Sequence, residues 1–327
     1  MVSRTKFEID SPAIEGLFRA AGLGEVTALA PLNAGEYNAV FSVTAGGKEY
    51  VIKIAPGDDS AVMACEKGMM AAEVFWYKQI REHTSIAVPE IYAVDLERRR
   101  IPTEYFIMEK LPGQTLNKMR LSKIEKKEAS AQMAKMAAQI HSIKNDRFGN
   151  VQGELYDDWH RAVRAMVQMM LGDCARKGKQ SKRGERLLAY IDQYRDVLRQ
   201  AECCMVNSDL WPQNIICKRG NGALQYAWID VERSYWGDRI VDFLSLEMMA
   251  PLAEKKLSLA AYNEITDKPV LATKNEIIRY AVAQAYLALA METEKYFRYT
   301  PRHIGWWRDV TASKWLFGTA FKTLDNA

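Results

Sequence analysis

MVNSDLWPQNIICKRGNGALQYAWID, residues 205–230, is the stretch on which the reading of this chain turns. It opens with the apolar pair Met205 and Val206. A polar turn then carries Asp209 and, five residues on, Asn214. A short apolar strand is expected at 215–217, a turn at 218–222, and a second strand over 224–229 that ends at Asp230. Two carboxylates and one carboxamide therefore converge around one hairpin. Phosphoryl transfer from a nucleoside triphosphate needs such a set. One Asp orients the attacking hydroxyl or accepts its proton, while an Asn and a second Asp hold magnesium against the phosphates. An Asp/Asn-rich turn by itself is ordinary. The Trp-Pro inside this one, and the Asp-ending strand behind it, set it apart.

The spacing D-x-x-x-x-N is that of the kinase catalytic loop, and kinases place a metal-binding Asp at the end of the strand that follows. S-D-L-W-P-Q-N-I-I at 208–216, followed by W-I-D-V-E-R at 228–233, resembles the H-G-D-x-x-P-x-N…I-D-W-E pattern of the aminoglycoside phosphotransferase family of small-molecule kinases. E-R-S-Y-W-G-D and V-D-F, within 232–243, resemble that family's E-R-A-x-W-G-D-P-x-x-D-F segment. The resemblance covers nearly the whole chain. It is most specific from Asp209 to Asp242 and loosest after Pro251. It implies an α+β, bilobal protein-kinase-like fold. An N-terminal antiparallel β-sheet lobe with a helix, 1–111, would bind the nucleotide. A larger, mostly helical C-terminal lobe, 112–327, would carry the catalytic loop and the substrate site. The resemblance further implies ATP or GTP as donor, Mg2+ as cofactor and a small-molecule hydroxyl as acceptor, in an aminoglycoside-like antibiotic or a metabolite. In that frame Asp209 is catalytic, and Asn214 and Asp230 hold the metal.

Ser11-Pro12 opens a short helix with Ser as N-cap, and Ile14, Leu17 and Phe18 share one face. A β region starts at 29–32, the turn 33–38 leads into a strand at 39–43, and Gly46-Gly47 reverses the chain into 49–54. Kinases roof the ATP phosphates this way. Gly35 stands alone where protein kinases have three glycines, and the resembled family's loop is also degenerate. Lys53 lies in V-I-K-I. A lysine between isoleucines sits badly in a core unless paired. It reads as the kinase β3 lysine that contacts the α- and β-phosphates, with an outward position on an edge strand as the alternative. Its partner is expected on a helix over 62–81, where Glu66 and Glu73 lie nearly on one face. Glu73 matches the family position, and Glu66 remains the alternative. The apolar strand 105–109 and the following K-L-P-G resemble the family's hinge, which implies adenine pairing with backbone groups near Glu109 and Leu111.

Residues 122–143 read as a helix ending at His141, to which no role is assigned. Residues 159–171 read as a Met-rich helix whose Val163, Met166, Val167 and Met170 face a core. R-K-G-K-Q-S-K-R-G-E-R, 176–186, reads as a solvated connection. Asp238 and Asp242 are expected to be buried carboxylates that collect N–H donors and fix the catalytic loop. Two helices are expected over 275–297 and 303–321, with Trp306, Trp307 and Trp315 in the core. The family's catalytic loop opens with His-Gly, and this chain has Asn207-Ser208 there. Asn both donates and accepts hydrogen bonds, so an active enzyme is expected. The competing reading is a nucleotide-binding module without turnover. A protein kinase is disfavoured, because the Asp230 segment reads I-D-V and no A-P-E follows.

The 327 residues suffice for two lobes, and a formal net charge of +4 is too small to argue for nucleic acid. No repeat is visible. The first ten residues lack an apolar run, so no signal peptide is expected. The most apolar stretch, 280–291, contains Gln284 and is too short to span a bilayer. Five cysteines, none in C-x-x-C, point to reduced thiols and a cytoplasmic home. A polycationic acceptor would need an acidic pocket. Glu154, Asp157, Asp158, Glu232, Glu247, Glu292 and Glu294 are the candidates for one, and a neutral hydroxyl compound stands equally open.

Overall fold

The computed structural model describes residues 6–32, 37–58, 62–220 and 222–327. Strands β1 (Val26–Pro31), β2 (Ala39–Ala45), β3 (Lys48–Ile54), β4 (Ile91–Asp95) and β5 (Tyr105–Glu109) form a five-stranded sheet in the order β1-β2-β3-β5-β4. Every pairing in it is antiparallel. Gly46 and Gly47, with φ of 54° and 77°, turn the β2–β3 hairpin in a conformation that only glycine adopts cheaply.

Side chains alternate across a strand, and β3 is buried on both faces. Tyr50, Ile52 and Ile54 pack with Ile14, Leu17 and Phe18 of helix α1 (Ser11–Ala20). Val51 joins Phe106 and Met108 on the other face, together with Trp76, Tyr77 and Ile80 of helix α2 (Met69–His83). Lys53 follows Val51 by two residues, so strand register alone sends its ammonium toward α2.

Two expectations about these helices need correction. Asp10, not Ser11, caps α1, accepting from the Ala13 amide at 2.9 Å; Ser11 and Pro12 are its first two helical residues. The helix expected over 62–81 is a 3₁₀ turn, Ala64–Glu66, followed by α2. Between them Gly68 has a φ of 71°, which no right-handed helix passes through. Glu66 and Glu73 therefore do not share a helix face.

The remaining chain is mostly helical. β6 (Gln114–Thr115) leads to α3 (Lys123–Ile140), which begins with a Ser122–Glu125 capping box. Then come α4 (Trp159–Arg176), α5 (Lys182–Gln193), α6 (Arg195–Leu198), β7 (Cys203–Val206), β8 (Ile215–Gly220), β9 (Ala223–Trp228) and β10 (Tyr235–Asp238). Helices α7 (Lys256–Asn263), α8 (Lys274–Arg298) and α9 (Ile304–Asp325) complete the chain. β6, β8 and β9 form one small sheet, and β7 pairs with β10 in another. The hairpin strands are longer than expected on the turn side, and β9 stops at Trp228, two residues short of Asp230.

The basic stretch 176–186 is not all connection. Helix α5 starts within it, capped by Ser181. Its Arg183 and Arg186 lie over the rings of Phe317 and Phe321 of α9, where a guanidinium gains from the ring quadrupole. The buried stripe of α9 runs through Ser313, Phe317, Ala320, Phe321 and Leu324. Trp307 and Trp315 fall off that stripe and are 58 % and 40 % exposed, so they are not core residues. All five cysteines are free. Among the described residues no helix is long and apolar enough to cross a membrane.

The turn between β5 and β6 rests on Gly113. Its φ is 126°, and a Cβ there would stand 2.5 Å from the Cys217 carbonyl oxygen on β8. Gly113→Ala should lower unfolding free energy by about 2–3 kcal/mol in a denaturant titration. A change below about 0.5 kcal/mol would mean that the backbone relaxes freely here.

Candidate active site

The Lys53 ammonium is the centre of a dense ionic cluster. Its Nζ lies 2.7 and 2.9 Å from the two oxygens of Glu73, 2.9 Å from Asp230 Oδ1 and 3.5 Å from Glu232 Oε2. Asn38 donates to the same Glu232 oxygen at 3.0 Å. Lys53 and Glu73 are both buried. Burial works against the lysine's charge, but Asp230, Glu73 and Glu232 outweigh it and hold the pKa well above the ordinary value. One ammonium facing three carboxylates leaves negative charge in excess. Glu232 carries the consequence: burial, then Asp230, push its carboxyl up to about 8 against the pull of Lys53. Asp230 itself sits just past β9 with a φ of 63°. Its amide donates to the Tyr77 hydroxyl of α2 at 2.9 Å.

A second cluster holds the loop after β7. The buried carboxylate of Asp242 accepts from the Asn207 amide at 2.9 Å and from the Ser208 amide at 2.6 Å. His141 Nε2 lies 2.9 Å from the same carboxylate, and its Nδ1 lies 2.9 Å from the Tyr262 hydroxyl. Held so, Ser208 adopts a φ of 59°. Asn207 donates from Nδ2 to Ser234 Oγ at 2.8 Å and accepts the Asp209 amide at Oδ1 at 3.0 Å. Asn214 Nδ2 donates to the Asp209 carbonyl at 3.0 Å and to its Oδ2 at 3.1 Å. Burial raises the Asp209 carboxyl, Arg233 opposes this and Asp230 adds to it; the balance stands at about 6.

Both clusters lie within residues 28–265, well over half of the chain, which match the sequence model of the phosphotransferase enzyme family (APH). The chain belongs to that family. It is a small-molecule phosphotransferase. Solved structures share its fold. A protein provisionally assigned as an aminoglycoside phosphotransferase, from Ralstonia eutropha JMP134, aligns with a TM-score of 0.68 at 16 % identity, covering 98 % of this chain and 99 % of that one. The microcompartment-associated aminopropanol kinase aligns at 0.64 and 16 % identity, covering 96 % and 98 %. A thermostable mutant of aminoglycoside phosphotransferase APH(4)-Ia, in a ternary complex with AMP-PNP and hygromycin B, aligns at 0.59 and 17 % identity, covering 96 % and 98 %. At such identities the likeness is one of fold. No curated protein matches the sequence.

The structure of this phosphotransferase gathers Lys53, Glu73 and Asp230 at one point, and Asp209 with Asn214 at another on the same hairpin. Glu66, the alternative partner, is elsewhere: it accepts the Met63 amide at 2.9 Å and pairs with Arg298. At the end of β5 the Glu109 amide is engaged by the Glu90 carbonyl at 2.7 Å. Leu111 follows it, with no hydrogen bond to its amide among the described residues. Gly35 lies outside the described residues. Glu232 and His141 were not assigned these positions from sequence. Asp230 and Glu232 are two residues apart, but the φ of 63° at Asp230 takes this segment out of an extended conformation, so their spacing alone did not bring them together. Glu73, Asp230 and Glu232 each offer a carboxylate oxygen within 4.8 Å of the others. The Lys53 ammonium already sits among these oxygens, and Asp230, the most exposed of the three carboxylates, offers the kind of anionic oxygen that a hard divalent cation such as Mg2+ takes.

The Glu232 carboxyl gives a pH test. Its folded pKa of about 8 exceeds the ordinary 4.5, so folding favours its protonated form. That contribution is fully present below about pH 4.5 and is lost as the pH rises through about 8. In metal-free protein, Glu232→Gln should therefore raise Tm by a few degrees above about pH 8. The difference should fade toward pH 5, and Mg2+ should narrow it at high pH. Identical Tm values above pH 8 would remove Glu232 from the charge-excess cluster.

Proposed function

We propose that this enzyme transfers the γ-phosphoryl group of ATP, or of GTP, to a hydroxyl of a small molecule. The observation that carries the reading is the pairing of the two clusters: a buried lysine held among carboxylates, beside an Asp whose carboxylate is held by an Asn. The nucleotide occupies the first part of the chain, 1–111, and the acceptor the second, 112–327. Lys53, oriented by Glu73, contacts the donor phosphates. Asp230 and Asn214 hold Mg2+, with Glu232 as a further oxygen donor; because Asn214 Nδ2 is engaged by Asp209, Oδ1 is its atom for the metal. When bound, the metal neutralises charge on the phosphate oxygens. Adenine lies against the backbone at Glu109 and Leu111, where the Leu111 amide is the donor left.

Asp209 accepts a hydrogen bond from the acceptor hydroxyl. As the acceptor oxygen bonds to the γ-phosphorus, the bond from that phosphorus to the departing ADP oxygen breaks, and the hydroxyl proton passes to Asp209. A carboxyl near 6 is largely ionised at neutral pH and more basic than an ordinary Asp, which suits a general base. Asn207 makes the loop-bracing hydrogen bonds itself, which favours turnover over a module that only binds nucleotide. The names of the structural relatives, an aminopropanol kinase and an aminoglycoside phosphotransferase with hygromycin B, support an alcohol as acceptor class. Free thiols suit the reducing cytoplasm.

Asp209→Ala should lower kcat by about 10³-fold or more, with ATP affinity within about twofold of wild type. Loss of ATP binding in a folded Asp209→Ala protein would contradict its placement facing the acceptor. In wild type at saturating Mg2+, kcat/KM should fall about tenfold per pH unit below about 6, as Asp209 becomes protonated. A flat profile down to pH 5 would exclude Asp209 as the titrating base.

A further inference from the structure

The positive charge of this chain is concentrated on one surface. A 3₁₀ turn, Leu116–Lys118, precedes α3. Lys118, Arg120, Lys123, Lys126 and Lys127 lie in this short segment and are all exposed. Lys218 and Arg219 of β8, exposed as well, join them. Arg219 donates to the Arg120 carbonyl at 3.2 Å and pairs with Glu125. Against these seven cations stand Glu125 and Glu128, so the segment 116–128 and β8 together carry a net charge of +5. The whole chain carries +4, which leaves everything outside them close to neutral.

Glu125 is already taken, by Arg219 and by the capping box that starts α3. Lys118, Arg120, Lys123, Lys126, Lys127 and Lys218 make no ion pair among the described residues. Like charges crowded this way repel one another, and an anionic surface relieves that repulsion.

The patch has an apolar centre. Lys123, Ile124 and Lys127 share the outward face of α3, opposite the buried stripe of Ala129, Met133, Met136 and Ile140. Ile124 is 70 % exposed, and among the described residues it is the one large apolar side chain exposed in this patch. A nucleic acid would set this isoleucine against phosphates, and the patch has no exposed aromatic ring on which a base could stack. A bilayer with anionic headgroups meets both features. Its headgroups match the basic side chains, and its acyl boundary takes an apolar one.

The patch and the candidate active site occupy opposite ends of one hairpin. Asn214 precedes β8 and Asp230 follows β9, whereas Lys218 and Arg219 lie at the turn end.

We infer that this surface docks the protein on an anionic lipid bilayer, with the basic side chains over the headgroups and Ile124 entering the interface. The association is peripheral and reversible, and needs no membrane-spanning helix. It does not depend on which acceptor the enzyme uses.

The test is co-sedimentation of the full chain with vesicles of phosphatidylcholine containing about 30 % phosphatidylserine, at about 0.1 M salt. Binding is expected there, about tenfold or more weaker at about 0.5 M salt, and weaker still on phosphatidylcholine alone. Each basic residue near such a surface contributes about fivefold in affinity, so Lys123→Glu/Lys126→Glu/Lys127→Glu should weaken binding about 100-fold or more. Ile124→Ser, which leaves every charge in place, should weaken it about threefold or more. A control with the same charge change on another exposed surface, Arg302→Glu/Lys314→Glu/Lys322→Glu, should bind within about threefold of wild type. All these positions are exposed, so Tm and the thermal shift with AMP-PNP should match wild type in each variant. No binding to the anionic vesicles overturns the inference, as does an equal loss in the control variant or full binding by Ile124→Ser. Tighter patch-dependent binding to a polyglutamate peptide or to single-stranded RNA than to the vesicles overturns it in favour of that partner.

Discussion

A lysine ammonium buried in an apolar strand is the constraint around which the nucleotide end of this molecule is assembled. Strand register drives Lys53 into the space between sheet and α2, and an unpaired charge there would be prohibitive. It is tolerated because Glu73 comes from α2 and Asp230 and Glu232 come from the segment after β9. Three separate parts of the chain are thereby tied to one atom. Breaking such a buried arrangement from one side leaves a charge stranded, which is far costlier than losing a surface pair. The Tyr77 hydroxyl adds a neutral link, holding the Asp230 amide from the same helix that supplies Glu73.

What was legible in the sequence was mostly local. Alternation in 39–54 gives the first hairpin, and the D-x-x-x-x-N spacing gives the loop. The isoleucines around Lys53 announce a lysine in need of a partner. What was not legible depends on distant contacts. Glu232 lies 179 residues from Lys53 in the chain, and nothing within 228–233 reveals that they meet. The choice between Glu66 and Glu73 turned on Gly68, whose left-handed backbone separates the two residues, while the apolar pattern runs through it uninterrupted. The tryptophans of α9 were misplaced for a related reason. Which stripe of that helix faces inward is set by how it packs on α5 and α8, and a helix rich in aromatic residues offers more than one candidate stripe.

The relation to known phosphotransferases runs through fold and family membership, and identity near 16–17 % carries no detail of the acceptor. Around the catalytic loop nearly every charged side chain is matched within the protein, through the ladder Arg233, Glu294, Arg298 and Glu66. That ladder also joins the turn ahead of α2 to the end of α8, so the helix that supplies Glu73 is anchored at its start by ion pairs and along its length by the sheet.

The side chain of Asn207 has a consequence for how the loop behaves as a device. Its two bonds run in fixed directions: Nδ2 gives a hydrogen to Ser234, and Oδ1 takes one from the Asp209 amide. A carboxamide does not ionise in water, so both directions persist from acid to alkaline solution. An imidazole at this position could serve the same two neighbours only as one neutral tautomer, and would lose its acceptor nitrogen on protonation. The loop of this chain therefore has a hard-wired hinge pin where a histidine would be a contact that opens in acid.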